Sequence, residues 1–117
     1  MLMNVDWSEY GRVHTSRFNL LIHLIAVPLF IAASISLLKY IARGDWASAA
    51  IVMLIALLAM AAQGRGHKQE QQSPRPFSSP ANFLRRWFAE QFFLFPTFLL
   101  SGRWWRQYVA AGERRES

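Results

Sequence analysis

The sequence predicts an all-α membrane protein: a transmembrane helical hairpin with a short N-terminal helix and a C-terminal interfacial or re-entrant helix. Three observations carry this. Phe18–Leu38 holds 21 residues without a formal charge, and Trp46–Ala62 adds 17 apolar or small residues after a Gly44–Asp45 turn. Aliphatic and aromatic residues make up 53% of the chain, while its polar residues gather in a few short patches. Lys and Arg flank the apolar runs together with Trp and Phe, the pattern of headgroup anchors. At 117 residues the chain is one domain at most.

The first expected element is a short helix over residues 6–14, with Asp6 as N-cap and Glu9 three residues on as the partner of a capping box. Trp7 and Tyr10 suit a helix at the membrane interface. Thr15 and Ser16 offer a second cap, so a bend is expected just after His14. The first span is expected over residues 18–40. A helix of 21 residues rises about 30 Å, enough to cross the hydrocarbon core. Pro28, well inside it, predicts a kink one turn above His23. The second span is expected over residues 46–62, near the lower length limit.

Gln63–Pro80, with two glycines, four glutamines and Pro74, Pro76 and Pro80, reads as a polar loop over residues 63–81 that carries His67 and Glu70. Asn82 is a candidate cap for a last helix over residues 82–106. The uncharged part of that helix, Phe92–Leu100, is too short to span and is interrupted by Pro96. Arg85, Arg86, Arg103 and Arg106 bracket it with Trp87, Trp104 and Trp105, hence its interfacial or re-entrant placement. GERRES at the end reads as a solvated tail.

Charge and composition narrow the setting. The formal charge is +6, and nine of the thirteen Lys and Arg residues follow Gly64. Set beside apolar runs, this basicity points to anionic lipid and not to nucleic acid. The positive-inside rule places both termini in the cytoplasm and the turn outside, so an integral protein of a bacterial inner membrane is expected. With no cysteine, thiolate sites and disulfides are excluded. A cleavable signal peptide is not expected, because Asp6, Glu9, Arg12 and Arg17 occupy the first seventeen residues. A homo-oligomer is left open.

The histidines carry the chemistry. An imidazole in hydrocarbon is costly, and His23 lies about five residues inside the first span. His67 lies about five residues past the second span, on the same side, and His14 just before the first. Asn19 and His23, four apart, share a helix face. His14 and His23, nine apart, would oppose each other on one straight helix, so they converge only through the bend. Three neutral imidazoles are ligands for zinc or iron and leave coordination positions open. Glu70 is a candidate fourth ligand or an acceptor for an imidazole N–H. Glu90 and Gln91 are the acid and amide of the third apolar segment, and His14 or Arg86 could partner Glu90. Arg65, Lys68 and Arg75 are the basic residues of the same polar stretch as His67 and Glu70. Taken singly, His23 is equally a hydrogen-bond partner between helices and His67 a solvated loop residue.

YGRVHTSRFNLLIHLIAVP followed by QGRGHKQEQQSPRPFSSP resembles the small membrane family of 2-hydroxy fatty acid dioxygenases. Tyr10, His14, Asn19, His23 and Pro28 match its first motif, and Gly66, His67, Glu70, Pro74 and Pro76 its second, within residues 10–103. The resemblance implies an Fe(II)-dependent enzyme in a membrane that uses O2 to shorten a 2-hydroxy fatty acid by one carbon. His14, His23 and His67 would bind the iron with Glu70 assisting, and Tyr10, Asn19 and Glu90 would support them. Two other classes stay open: a histidine-ligated metal hydrolase or hydroxylase, and a non-enzymatic membrane protein that binds lipid or a partner.

Overall fold

The computed structural model describes residues 6–70 and 76–116, with side chains through Glu113. The protein is all-helical, and no strand occurs among the described residues. Two of its helices, Arg17–Ala42 and Trp46–Lys68, are long and apolar enough to cross a membrane.

Local chemistry sets the element boundaries. In α1 (Trp7–Arg12) the Asp6 carboxylate accepts from the N–H groups of Ser8 at 3.0 Å and Glu9 at 3.2 Å, satisfying two donors that an open helix end leaves free. The chain breaks between Val13 and Ser16. Ser16 then caps α2 (Arg17–Ala42), its hydroxyl accepting from Asn19 N at 3.3 Å. α2 runs through Pro28 without a break in helical structure. It ends at Gly44, whose φ of 68° is the left-handed value that favours glycine after a helix. Asp45 caps α3 (Trp46–Lys68) by accepting from Ser48 N.

α3 differs from expectation. The second apolar helix does not end at Ala62, and Gln63–Lys68 is its last turns and not the start of a loop. The apolar run ends at Ala62 and the polar composition of Gln63–Pro80 reads as a loop, and glycine, present at positions 64 and 66, disfavours helix by about 1 kcal/mol. Packing overrides propensity: Gln63 and Gly66 are buried, and Gly66 lies flush against Asn19 of α2. The extra turns bring His67 back beside the start of α2. Of the expected loop, Pro74 and Arg75 lie outside the described residues.

The final helix also differs. Ser79, not Asn82, is the cap of α4 (Pro80–Ala89); its hydroxyl accepts from Asn82 N at 3.0 Å. Pro80 follows at the first helical position, where its missing N–H costs nothing. α4 passes through a π-helical turn, Glu90–Leu94, into α5 (Phe95–Leu100). Pro96 has no N–H to return to Phe92, and the widened turn directly precedes it. At Gly102, with φ 86°, the chain reverses. Residues 82–106 are therefore one continuous helical run, α4 through the π turn into α5, followed by the start of a separate helix, and not a single helix. That separate helix, α6 (Arg103–Glu116), takes in GERRE, which is helical and not a solvated tail; Ser117 lies outside the described residues. Ala111 and Gly112 are buried.

α6 folds back over the start of α2. The Trp104 indole N–H donates to the Leu20 carbonyl at 3.0 Å, and the Arg17 guanidinium donates to the Tyr108 carbonyl at 3.0 Å while stacking on its ring. Two apolar clusters result. Tyr10, Leu20, Val27, Phe95, Phe98 and Trp104 form one around the site. Ala26, Phe30, Ala33, Ala56 and Ala59 form the other, where alanines let α2 and α3 approach closely.

Candidate metal centre

The break at residues 13–16 turns α1 so that His14 faces the same point as His23, one span-turn below Asn19. The lengthened α3 delivers His67 to that point from the other side. Ring centroids are 5.1 Å apart for His14 and His23, 4.9 Å for His14 and His67, and 4.8 Å for His23 and His67. One ring nitrogen from each lies within 4.8 Å of the others. A single ion with bonds of about 2 Å needs its nitrogens about 3–4 Å apart, so a small inward rotation closes the set.

Two of the imidazoles are held in one orientation by backbone. His14 Nδ1 sits 2.7 Å from the Tyr10 carbonyl and His23 Nδ1 sits 3.0 Å from the Asn19 carbonyl. A carbonyl only accepts, so each Nδ1 carries the proton and each Nε2 carries the lone pair. Both Nε2 atoms are buried and lack a hydrogen-bond partner. An unsatisfied buried polar atom costs about 1–3 kcal/mol, and two aimed at one point, with His67 beside them, are what a metal ion would satisfy. His14 is also held below the ordinary histidine range, by burial first and then by the neighbouring His23 and His67 rings. A neutral imidazole is the form that ligates.

The acidic residues occupy positions other than expected. Glu70 is outside the cluster. Its carboxylate accepts from Thr15 N at 2.8 Å, Thr15 Oγ1 at 2.7 Å, Ser16 N at 3.0 Å and Asn19 Nδ2 at 2.8 Å. A carboxylate at a helix N-terminus that accepts from these donors is held firmly in place. It acts instead as a clamp that fastens the end of α3 to the start of α2. Asn19 extends the clamp, with Nδ2 also 3.3 Å from the Val13 carbonyl and 3.5 Å from His67 Nδ1.

Glu90 is the carboxylate nearest the imidazoles. Oε1 lies 3.9 Å from His14 Nε2 and accepts from the Tyr10 hydroxyl at 2.6 Å. Tyr10 also stacks on His14, with ring centroids 4.0 Å apart. Burial pushes the Glu90 carboxyl up to about 7, with the Tyr10 hydroxyl pulling the other way. Burial raises the Tyr10 phenol well above its usual value, and the Glu90 charge adds to this. Arg86 reaches the Pro76 carbonyl at 3.1 Å and stacks on Phe77. Arg65 and Lys68 are exposed on the last turns of α3.

The sequence left the part of Gln63 and Gln91 unread. Their amides bond reciprocally at 2.9 and 2.7 Å, and both are fully buried. The π turn presents Glu90 and Gln91 together, and the amide pair anchors that turn to α3. An amide surrounded by apolar neighbours was the available signal. Gln63→Leu leaves Gln91 buried without a partner and is expected to lower stability by about 1–3 kcal/mol, whereas Gln63→Leu with Gln91→Leu recovers most of the loss. Unfolding midpoints in detergent for the three proteins check the order. Phe95 and Phe98 complete the walls, 5.7 Å from His23 and 5.9 Å from His14 between ring centroids.

Fold and site together define a small all-helical protein in which three histidines, two of them fully buried, could hold a metal ion. No protein-family model, curated protein or solved structure matches the chain.

Proposed function

We propose that this protein is an iron-dependent membrane dioxygenase that shortens 2-hydroxy fatty acids by one carbon. The observation that carries the metal assignment is the pair of buried, unpartnered Nε2 atoms of His14 and His23 facing His67. His14, His23 and His67 would hold the ion, with Glu90 the adjacent carboxylate. Imidazole nitrogens with a carboxylate are a donor type that would suit Fe(II). Bound Fe(II) would supply the one-electron chemistry that O2 needs to react with an organic acid.

The overall balance is RCH(OH)COOH with O2 giving RCOOH, CO2 and water. The protein's own groups do the rest. Backbone carbonyls fix the imidazole tautomers. Tyr10 holds Glu90 and is a proton donor at 2.6 Å from its carboxylate. Phe95, Phe98 and the surrounding apolar cluster exclude water from the site.

Membrane residence is supported by the exposure of the long helices. Only 33% and 22% of their most apolar windows are buried, and Ile25, Leu38, Ile51, Leu54 and Leu58 point outward. Such apolar surface far exceeds what a soluble monomer presents to water. α2 and α3 form a transmembrane hairpin in this assignment, with the histidines near one membrane face. The charge bias puts that face and both termini in the cytoplasm, at a bacterial inner membrane. An acyl chain could then lie in hydrocarbon with its carboxylate at the depth of the imidazoles.

The test is direct. Protein purified in detergent and loaded anaerobically with Fe(II) is given 2-hydroxypalmitate and O2. Pentadecanoic acid is the expected product. Bound iron with no shortened acid would exclude this substrate and leave a hydrolase or hydroxylase. Failure to bind iron or zinc would leave the histidines as packing groups of a non-enzymatic lipid- or partner-binding protein.

A further inference from the structure

Between α1 and α6 lies a hollow of about 610 Å3 that none of the three histidines lines. Trp7, Gly11 and Arg12 of α1 face Arg103 and Arg106 of α6 across it, and Phe98 forms part of its wall. The spacing explains the arrangement. On α1, residues 7 and 11 and residues 8 and 12 are four apart, and Arg103, Arg106 and Gln107, three and four apart, share one face of α6. The two helices are pinned by Gln107, whose amide donates to the Gly11 carbonyl at 2.8 Å and the His14 carbonyl at 3.2 Å. Gly11 permits the approach, since a Cβ there would lie 3.1 Å from Gln107 Nε2.

Three guanidiniums therefore surround one hollow, and no Asp or Glu lines it. Like charges held together repel, and an oxyanion between them removes the repulsion. Arg103 is already ordered, stacked 4.8 Å over the Trp7 ring, which leaves less side-chain freedom to lose on binding. Guanidinium forks match carboxylate and phosphate oxygens in pairs. One carboxylate offers two oxygens and a single charge, which one arginine can satisfy. Three arginines suit a phosphate better. Trp7 and Phe98 supply an apolar wall, which a free inorganic anion would not use and the first carbons of a lipid would. None of the lining residues belongs to α2 or α3, and Arg12 and Thr15 stand just before the Arg17 end of α2, so the hollow is assigned to headgroup depth. That depth rests on the membrane assignment proposed above.

We propose that the Arg12–Arg103–Arg106 hollow is a binding site for the phosphate headgroup of an acidic phospholipid, separate from the metal centre. Occupancy would bridge α1 to α6 across the pair that carries His14.

The full-length protein is purified in detergent micelles doped with equal amounts of phosphatidic acid and phosphatidylcholine, and retained lipid is read by native mass spectrometry. Phosphatidic acid should be retained selectively, and Arg103→Gln with Arg106→Gln should weaken that retention about thirtyfold. The helical circular dichroism and unfolding midpoint in detergent should be unchanged in the double variant, which shows that it is folded. Equal retention of the two lipids overturns the proposal, as does undiminished selectivity in the variant. Inorganic phosphate or 2-hydroxypalmitate displacing the phospholipid at equal concentration would identify a free-anion or fatty-acid site instead and equally overturn it. Because micelles report the hollow alone, a protein that selects phosphatidic acid yet fails to insert into vesicles would overturn the membrane assignment and spare the site.

Discussion

His23→Ala is expected to reduce bound iron or zinc from about one ion per chain to almost none, a loss of affinity of roughly 100-fold or more. The same substitution at His14 or His67 should act in the same direction. His23 is the sharpest test, because its ring is buried within α2 and its Nδ1 is already committed to the Asn19 carbonyl. Its Nε2 therefore has no part in holding the fold together. Removing the ring leaves a small void, which by itself costs stability, but it also removes an orphaned polar atom, so the helix should survive. Metal analysis on the purified variant, with circular dichroism as the control, reads the two effects apart. A helical His23→Ala protein that still holds a full complement of metal would end the tri-histidine assignment.

Gly66→Ala is expected to be the most damaging substitution outside the histidines. A methyl group there would collide with Asn19 Oδ1 and would lie 3.3 Å from Asn19 Cγ and 3.4 Å from its Cα. The near atoms include backbone, so α2 and α3 must separate. Overpacking of this kind costs about 1–3 kcal/mol, against a gain of about 1 kcal/mol in helix propensity. The effect on the site is larger than that balance, because Asn19 is bonded to Glu70 and Val13 and precedes His23 by one turn. Metal affinity is expected to fall about tenfold, as it does when groups that orient ligands are disturbed. Gly64 provides the control. Nothing lies within 4 Å of a Cβ there, so Gly64→Ala should raise stability by up to about 1 kcal/mol and leave metal binding intact. If the two glycine variants unfold together and bind metal equally, the close approach of α2 to α3 at Asn19 is not as described.

Glu70 and Glu90 mark the boundary of what could be read without coordinates. Glu70, three residues after His67 in a polar stretch, has the spacing of a ligand. Its actual partners, Thr15, Ser16 and Asn19, are more than fifty residues away and become visible only when α3 packs on α2. Glu90 stood out as the acid of an apolar stretch, and a partner for it was expected. That His14 and Tyr10 are close to it follows from the π turn and from the way α5 docks. Neither is encoded within a few residues of position 90.

What the sequence by itself determined was local and periodic. Asp6 and Ser16 as caps, a break near His14 (it begins at Val13, one residue before that histidine), the glycine turn at Gly44 and the two long apolar runs all depend on contacts within about one helical turn. The meeting of His14 and His23 could be stated in advance as a consequence of that break. The tertiary structure decided the rest. It extended α3 through Gly64 and Gly66, reversed the chain at Gly102 and laid α6 against α1. It also set Glu70 among Thr15, Ser16 and Asn19, and Glu90 beside Tyr10 and His14. Each of these depends on which buried surfaces and polar groups find partners across long stretches of chain. Burial and hydrogen bonding at such distances outweigh the propensity of any one residue.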